Sequence, residues 1–248
     1  MQIFHSNPFR VLGIKANASA PEKQQVRNKI AAFLSVGKTP ALDFDLSPPL
    51  KKLERTQELI NLKSNEILSD EDKVQHALFW FIDGGMIDDI GISNLIKSKN
   101  LDKALSVFEK GSKGFVVNKS TISSIINHTS LEIINYPEHK DKSRLKAALN
   151  KKIDIASSDI HLSLLLNYLN PNNSSISSNT IKPQIIHNVK SLLEELFPSI
   201  LKEKLYLEFL SEHKEIVEEI KEKVNKRNID SIKNYISFGE NRRKLVLN

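Results

Sequence analysis

Apolar residues recur along this chain at three- and four-residue intervals, the spacing that lines one face of an α-helix. Phe9, Val11 and Leu12 give an apolar side to a short turn that starts at Pro8 and stops at Gly13. Ser19 then offers a capping hydroxyl and Glu22 a capping-box partner three residues on. Pro21 sits near the first helical position, where its missing N–H is no loss. The pattern predicts a helix from there to about Leu34, with Val26, Ile30, Phe33 and Leu34 on one face. Gly37, Pro40, Pro48 and Pro49 make residues 35 to 49 a loop, and residues 50 to 68 read as a third helix. Ser69 caps a fourth, with Asp70, Glu71 and Asp72 in its first turn. Its apolar stripe is Val74, Ala77, Leu78 and Phe81, and Gly84 and Gly85 end it.

Beyond the glycine pair, residues 92 to 99 and 101 to 110 read as two short antiparallel helices joined at Asn100. Further helices are expected at residues 119 to 127, 142 to 150 and 157 to 170. The polar, Asn- and Ser-rich stretch from 170 to 183 reads as a linker, followed by helices at 184 to 197 and 200 to 225. With only 8 Gly and 9 Pro in 248 residues, little interrupts these patterns, so an all-α fold is expected. The pattern divides into an amino-terminal bundle at 1 to 83, a helical region at 84 to 170, the linker at 171 to 183 and a carboxy-terminal helical segment at 184 to 248.

The absence of cysteine excludes disulfides, thiolate metal sites and cysteine nucleophiles. No apolar run approaches the length of a membrane span and no leader pattern opens the chain, so a soluble cytoplasmic protein is expected, with no membrane partner. The net charge of +6 raises the question of nucleic acid, because the excess concentrates between residues 84 and 182. Lys140, Lys142, Arg144, Lys146, Lys151 and Lys152 form the densest basic run, the alternative being that it is a solvated helix face.

Two segments, "NPFRVLGI" at residues 7 to 14 and "EILSDEDKVQHALFWF" at 66 to 81, together resemble the two ends of a J-domain, the helical module of DnaJ-type co-chaperones. The likeness covers about residues 4 to 83 and implies a small helical bundle that contacts an Hsp70 partner. The chain departs from that family where the His-Pro-Asp signature should stand, since the loop reads "SVGKTPALDFDLSPP". The basic patch of the second helix is reduced to Lys23, Arg27 and Lys29. Stimulation of Hsp70 is therefore not expected. The "NPFRVLG" to "FWF" pattern is also similar to bacterial proteins for which the likeness implies no activity. Further on, "LDKALSVFEK" resembles the second helix of a tetratricopeptide-type repeat, with Ala104 as the small residue that lets helices approach, although no second copy follows.

These observations favour a noncatalytic protein-interaction or adaptor module of co-chaperone-like type. Its expected partner surface is Lys23, Arg27 and Lys29 with Asp43, Phe44 and Asp45 of the following loop; the partner's identity and the oligomeric state stay open. Asp43 and Asp45 could also meet a hard cation, but the more ordinary reading is loop acids flanking a buried Phe44. His76 and Trp80 are expected one helical turn apart, either as an exposed anchor or, in the favoured reading, with Trp80 and Phe81 sealing the junction to the next region. The seven histidines lack metal-ligand spacing, and no glycine-rich phosphate loop, nucleophile elbow or dinucleotide fingerprint occurs. No cofactor, metal or catalytic residue is expected. The alternative function is nucleic-acid binding through the basic run.

Overall fold

The capping signals set where several helices begin. In the computed structural model, which describes residues 1–169 and 175–246 and side chains as far as residue 234, the Asn7 side chain accepts from Phe9 N–H at the start of α2 (Pro8–Val11), just after α1 (Gln2–His5). Ser19 and Glu22 form both halves of a capping box on α3 (Ala20–Leu34). Thr56 caps α4 (Gln57–Asn65) and Ser69 caps α5 (Asp70–Ala77). After Gly85 come α6 (Met86–Ile96) and α7 (Leu101–Ser112), the latter capped by Asn100, the residue expected to join the two helices. Then follow α8 (Ile122–His139), α9 (Lys142–Ala156), α10 (Asp159–Leu169) and α11 (Ser178–Leu196). The described residues are all-α, without a strand.

Residues 1–195 form one compact unit and 196–248 a second. In the second, α12 (Lys202–Phe209) packs on α13 (Lys214–Val246), burying Leu205, Phe209, Ile216 and Ile220. An Arg227–Glu203 pair at 2.6 Å adds a link between these helices. No helix among the described residues is long and apolar enough to cross a membrane.

Within the first unit, α8 is the central helix. Residues 122 to 134 are buried on every side, and α7, α9, α6 and α10 pack around it. The amino-terminal elements join this assembly through residues 78 to 82, which leave the helical pattern earlier than expected. The helix ends with Ala77, and Leu78, Phe79, Trp80, Phe81 and Ile82 run on with 0% exposure each. Trp80 and Phe81 are thus interior, as the favoured reading had them, with Phe44 on one side and Phe108 of α7 on the other.

Burying such a segment requires partners for its backbone polar groups. Asn127 of α8 accepts from Ile82 N–H at 2.8 Å and donates to the Ile82 carbonyl at 2.7 Å, pairing with that residue as a neighbouring strand would. Asn17 does the same to Asp83, accepting at 2.9 Å and donating at 2.7 Å. Ala16 N–H donates to the Phe81 carbonyl and the Trp80 indole to that of Ile14. Lys152 of α9 donates to the Leu78 carbonyl. The Asn127 and Lys152 bonds cross the division expected at residue 83, so the first 83 residues and the region after them form part of one unit.

Other expectations change: α6 covers Met86–Ile96 rather than residues 92 to 99, and the helix expected over 200 to 225 is interrupted between α12 and α13. Residues 51 to 55 are not helical: Arg10 takes up the Lys51 carbonyl, Arg55 reaches out of the stretch to the Val11 carbonyl, and α4 starts only at Gln57. The helices over α8 and α9 run longer than expected at their carboxy-terminal ends. Residues 178 to 183 of the expected linker are already helical. Asp159 receives the Ser178 N–H at 2.6 Å, and Pro183 is accommodated beside the exposed Asn179. Residues 170 to 174 of that linker lie outside the described residues.

Lys152 has 0% exposure, among the described residues no carboxylate is paired with its amine, and burial drives its pKa well below the ordinary lysine range. Its Nζ donates to Leu78 O, to Thr129 Oγ1, whose own proton goes to Ile125 O, and to Ser130 Oγ at 3.0 Å.

Two predictions follow from this packing. Replacing Asn127 by Ala leaves the Ile82 N–H and C=O buried and unpaired, and is expected to lower the unfolding free energy by about 3 kcal/mol in urea titrations. A loss below about 1 kcal/mol would contradict the role assigned to this side chain. For Lys152, the unfolded chain binds one proton more than the folded chain between the depressed folded pKa and about 10.4. The stability of the protein therefore rises with pH through that window and falls as pH drops toward the folded value. Relative to Lys152→Met, the wild type is expected to gain stability as pH is raised from about 6 to about 9, and a pH-independent difference would mean that the amine is charged.

Candidate functional site

Helix α3 contributes little to the core. Of its fifteen residues only Ile30 is buried, with Val26 and Leu34 half-buried beside it on Val11, Leu42 and Ile60. Phe33, expected on that face, is 39% exposed. The remaining positions face solvent, including Lys23, Arg27 and Lys29. A helix that buries so little apolar surface is held mainly by its capping box and this narrow stripe.

Flanking α3 are two recesses. On one side, a cavity of about 200 Å³ has an apolar floor of Phe9, Leu12, Ile30, Ile60 and Ile67, and a rim that includes Lys23 and Arg27 of α3 and Lys73 of α5. Lys73 is held by Asp70 at 3.0 Å. Among the described residues no carboxylate lies within ion-pair distance of Lys23 or Arg27. Burial and the neighbouring Lys73 charge lower the Lys23 pKa. On the other side, a groove of about 260 Å³ holds Lys29 with Glu22, Asp43 and Phe44, so positive and negative groups alternate there. The six residues expected to form one partner surface are therefore divided between the two flanks of α3 and the loop.

The loop residues are mostly structural. Phe44 is 6% exposed and tilts against Trp80 and Phe81 at centroid distances of 6.4 and 6.5 Å. Asp45 pairs with the buried Arg55 and accepts from Leu42 N–H at 3.0 Å, while its carbonyl receives two bonds from Arg10. Arg10 also donates to the His5 and Lys51 carbonyls, and Arg55 to those of Val11, Pro40 and Arg10. Burial pushes the Arg10 pKa down to about 10, against the pull of the Asp45 charge. Asp43 alone of the three loop residues projects into solvent. Neither Phe44 nor Asp45 is presented to a partner, because the fold uses both. The arginine clamp was not anticipated, although Arg10 within an otherwise apolar segment was a visible signal.

The basic run is not one surface. Lys140 and Lys142 are exposed, Lys146 is half-buried, and Arg144 is drawn onto the buried Glu132. Lys151 pairs with Asp154 at 3.2 Å and lies 5.8 Å from the Phe115 ring centroid. Lys152 is fully buried and cannot reach a phosphate. The spacing that made these residues a run in sequence disperses them around α9.

Glu132 gathers a polar cluster that the sequence reading missed. His128 Nε2 lies 3.2 Å and His139 Nε2 3.4 Å from its carboxylate oxygens, and Arg144 donates to it. Burial would raise the Glu132 pKa, but the hydrogen bonds from His128 and Arg144, with the Arg144 charge, hold it below the ordinary range. Ser112 Oγ sits 3.4 Å from His128 Nδ1, which completes a Ser–His–Glu series. The hydroxyl donates to the Glu109 carbonyl at 2.8 Å and Ser112 is only 2% exposed, while Phe115 stacks on the imidazole at 5.3 Å. The series is buried and ties α7, α8 and α9 together. Among the described residues no three His, Cys, Asp or Glu side chains are disposed to hold a metal ion.

No protein-family model matches this chain, and neither a curated protein nor a solved structure matches it.

The different placements of the two loop carboxylates separate experimentally. Asp45→Ala strands the Arg55 guanidinium and the Leu42 N–H and is expected to destabilise by about 3 kcal/mol, whereas Asp43→Ala is expected to stay within about 0.5 kcal/mol of wild type. Equal effects in thermal denaturation would show that Asp45 is not the anchor of this loop.

Proposed function

We propose that this protein is a noncatalytic interaction module, an adaptor of co-chaperone-like type, that engages a protein partner through the solvent face of α3. The observation that carries this reading is the disparity between α3 and the rest of the first unit: a fifteen-residue helix with one buried residue, three exposed cations and an apolar recess at its side. A fold that needed α3 only for stability would bury more of it. The partner surface is reduced from the six residues first expected to Lys23, Arg27 and Lys29, with Asp43 at its margin. Phe44 and Asp45 support the loop from within. Because the loop carries Asp-Phe-Asp in place of His-Pro-Asp, Hsp70 stimulation is not part of the proposal.

The noncatalytic element of this reading is supported by the burial of each chemically suggestive group. Ser112, His128 and Lys152 are all enclosed and hydrogen-bonded within the fold. Dispersal of the basic run weighs against extended phosphate tracking, which needs cations on one continuous face.

The test is affinity capture with the full chain and with a Lys23→Glu, Arg27→Glu, Lys29→Glu triple variant, followed by rebinding of the purified captured protein. A partner that rebinds wild type at moderate salt and loses at least about tenfold in affinity for the triple variant, at unchanged thermal stability, is the expected result. A partner retained equally by both proteins would remove α3 from the interaction.

A further inference from the structure

Resting on that reading, the geometry points to the kind of partner: we infer that the cavity beside α3 receives one large apolar side chain from an acidic peptide segment, whose flanking carboxylates meet Lys23 and Arg27. The size of the cavity and the sign of its rim lead to this choice.

At about 200 Å³ the recess is smaller than the roughly 300–1,000 Å³ of pockets that enclose whole small-molecule ligands. It suits a single aromatic or branched aliphatic group. Its floor is assembled from three separate elements, with Phe9 and Leu12 at and just after α2, Ile30 on α3 and Ile60 on α4. Phe9, Ile30 and Ile60 are at most 3% exposed and belong to the packed interior of the unit, so the floor is preformed. A preformed apolar pocket ringed by polar groups is the arrangement that anchors one partner side chain while the surround excludes water.

The rim selects for charge. Lys23 and Arg27 stand one helical turn apart on α3, and Lys73 approaches from α5. Lys73 already has Asp70, and among the described residues Lys23 and Arg27 have no carboxylate in ion-pair distance, so they can take an incoming acid. Lys23 and Lys73 also repel one another across the rim, as the lowered Lys23 pKa reflects after burial itself. A carboxylate bound there would relieve that repulsion. The groove on the opposite flank of α3 mixes Lys29 with Glu22 and Asp43 and has no comparable preference. An anion with no apolar group would leave the floor unfilled, and an apolar group with no carboxylate would leave the rim unpaired.

The probe is a fluorescein-labelled peptide with one Trp among Glu and Ala residues, titrated by fluorescence anisotropy against the full chain. Three control peptides replace Trp by Ala, Glu by Gln, or Glu by Lys. Saturable binding that weakens about tenfold or more on removing Trp, and again on removing the carboxylates, is expected. Arg27→Glu should weaken it by a similar factor. Ser64→Phe, which puts a ring into the cavity while keeping every cation, should abolish the Trp dependence. Thermal melts check that both variants fold, and the peptide series stands without them.

Equal binding of the Trp and Ala peptides would overturn insertion, as would the absence of saturable binding by any peptide. So would binding to phosphatidylglycerol vesicles with no binding of the peptides. If the peptides fail while the charge-reversed α3 variant still releases its purified partner, the cavity inference falls and the adaptor reading stands. If the variant also retains the partner, both fall.

Discussion

The first unit depends on how it houses five consecutive residues, Leu78 to Ile82, none of which touches solvent. Such a segment carries a large apolar gain from two phenylalanines, a tryptophan, a leucine and an isoleucine; the end of α5 takes the N–H groups of Leu78, Phe79 and Trp80, and the polar groups beyond need other partners. The sequence supplies substitutes one at a time. Asn127 exchanges two hydrogen bonds with Ile82, Asn17 does so with the adjoining Asp83, and Lys152 caps the Leu78 carbonyl. Because these groups come from α8, the loop before α3, and α9, docking the segment fixes the position of three parts of the chain at once. Each bond therefore contributes to tertiary register as well as to stability.

The same solution recurs in the arginine clamp. Arg10 and Arg55 direct guanidinium donors at six different backbone carbonyls and share Asp45 as their acidic neighbour. A loop with three prolines has few backbone N–H groups to organise itself, so its carbonyls are gathered from outside. Both devices place polar groups in the interior where they are satisfied, which favours one arrangement over near alternatives. Gly13 belongs to the same construction. Its φ of +71° turns the chain after α2, and a Cβ there would collide with the Leu42 side chain.

What could be read in the sequence was local. Ser19 with Glu22, Ser69 with its three acids, and Asn100 each mark a helix start through bonds within four residues, and each helix begins there. What could not be read was set by partners distant in sequence. Nothing between residues 50 and 56 announces that Arg55 will reach back to Val11 from a stretch that is not helical. Leu78 to Phe81 continue a helical stripe until Asn127, which lies 45 residues away from Ile82, competes for the backbone. For the candidate site, Lys23 and Arg27 were visible as an i, i+4 pair, but the recess beside them needs Lys73, Ile60 and Phe9, brought in by other elements. Lys152 looked like its basic neighbours because sequence spacing does not disclose which side of α9 faces α8.

This division of labour explains why α3 is available for recognition. The interior is closed by side-chain-to-backbone bonds that involve α2, α5, α8, α9 and the loop at residues 43 to 45, and α3 adds to it only Ile30 and two half-buried neighbours. Substitution along the exposed face of α3 therefore leaves the satisfied network intact. The floor of the adjacent recess is the opposite case, since Phe9 and Ile60 are part of the packed core and their positions follow from the clamp around Arg10. A rigid apolar floor beneath a lightly packed charged helix lets specificity vary in the rim while the geometry of the anchor point is kept by the fold.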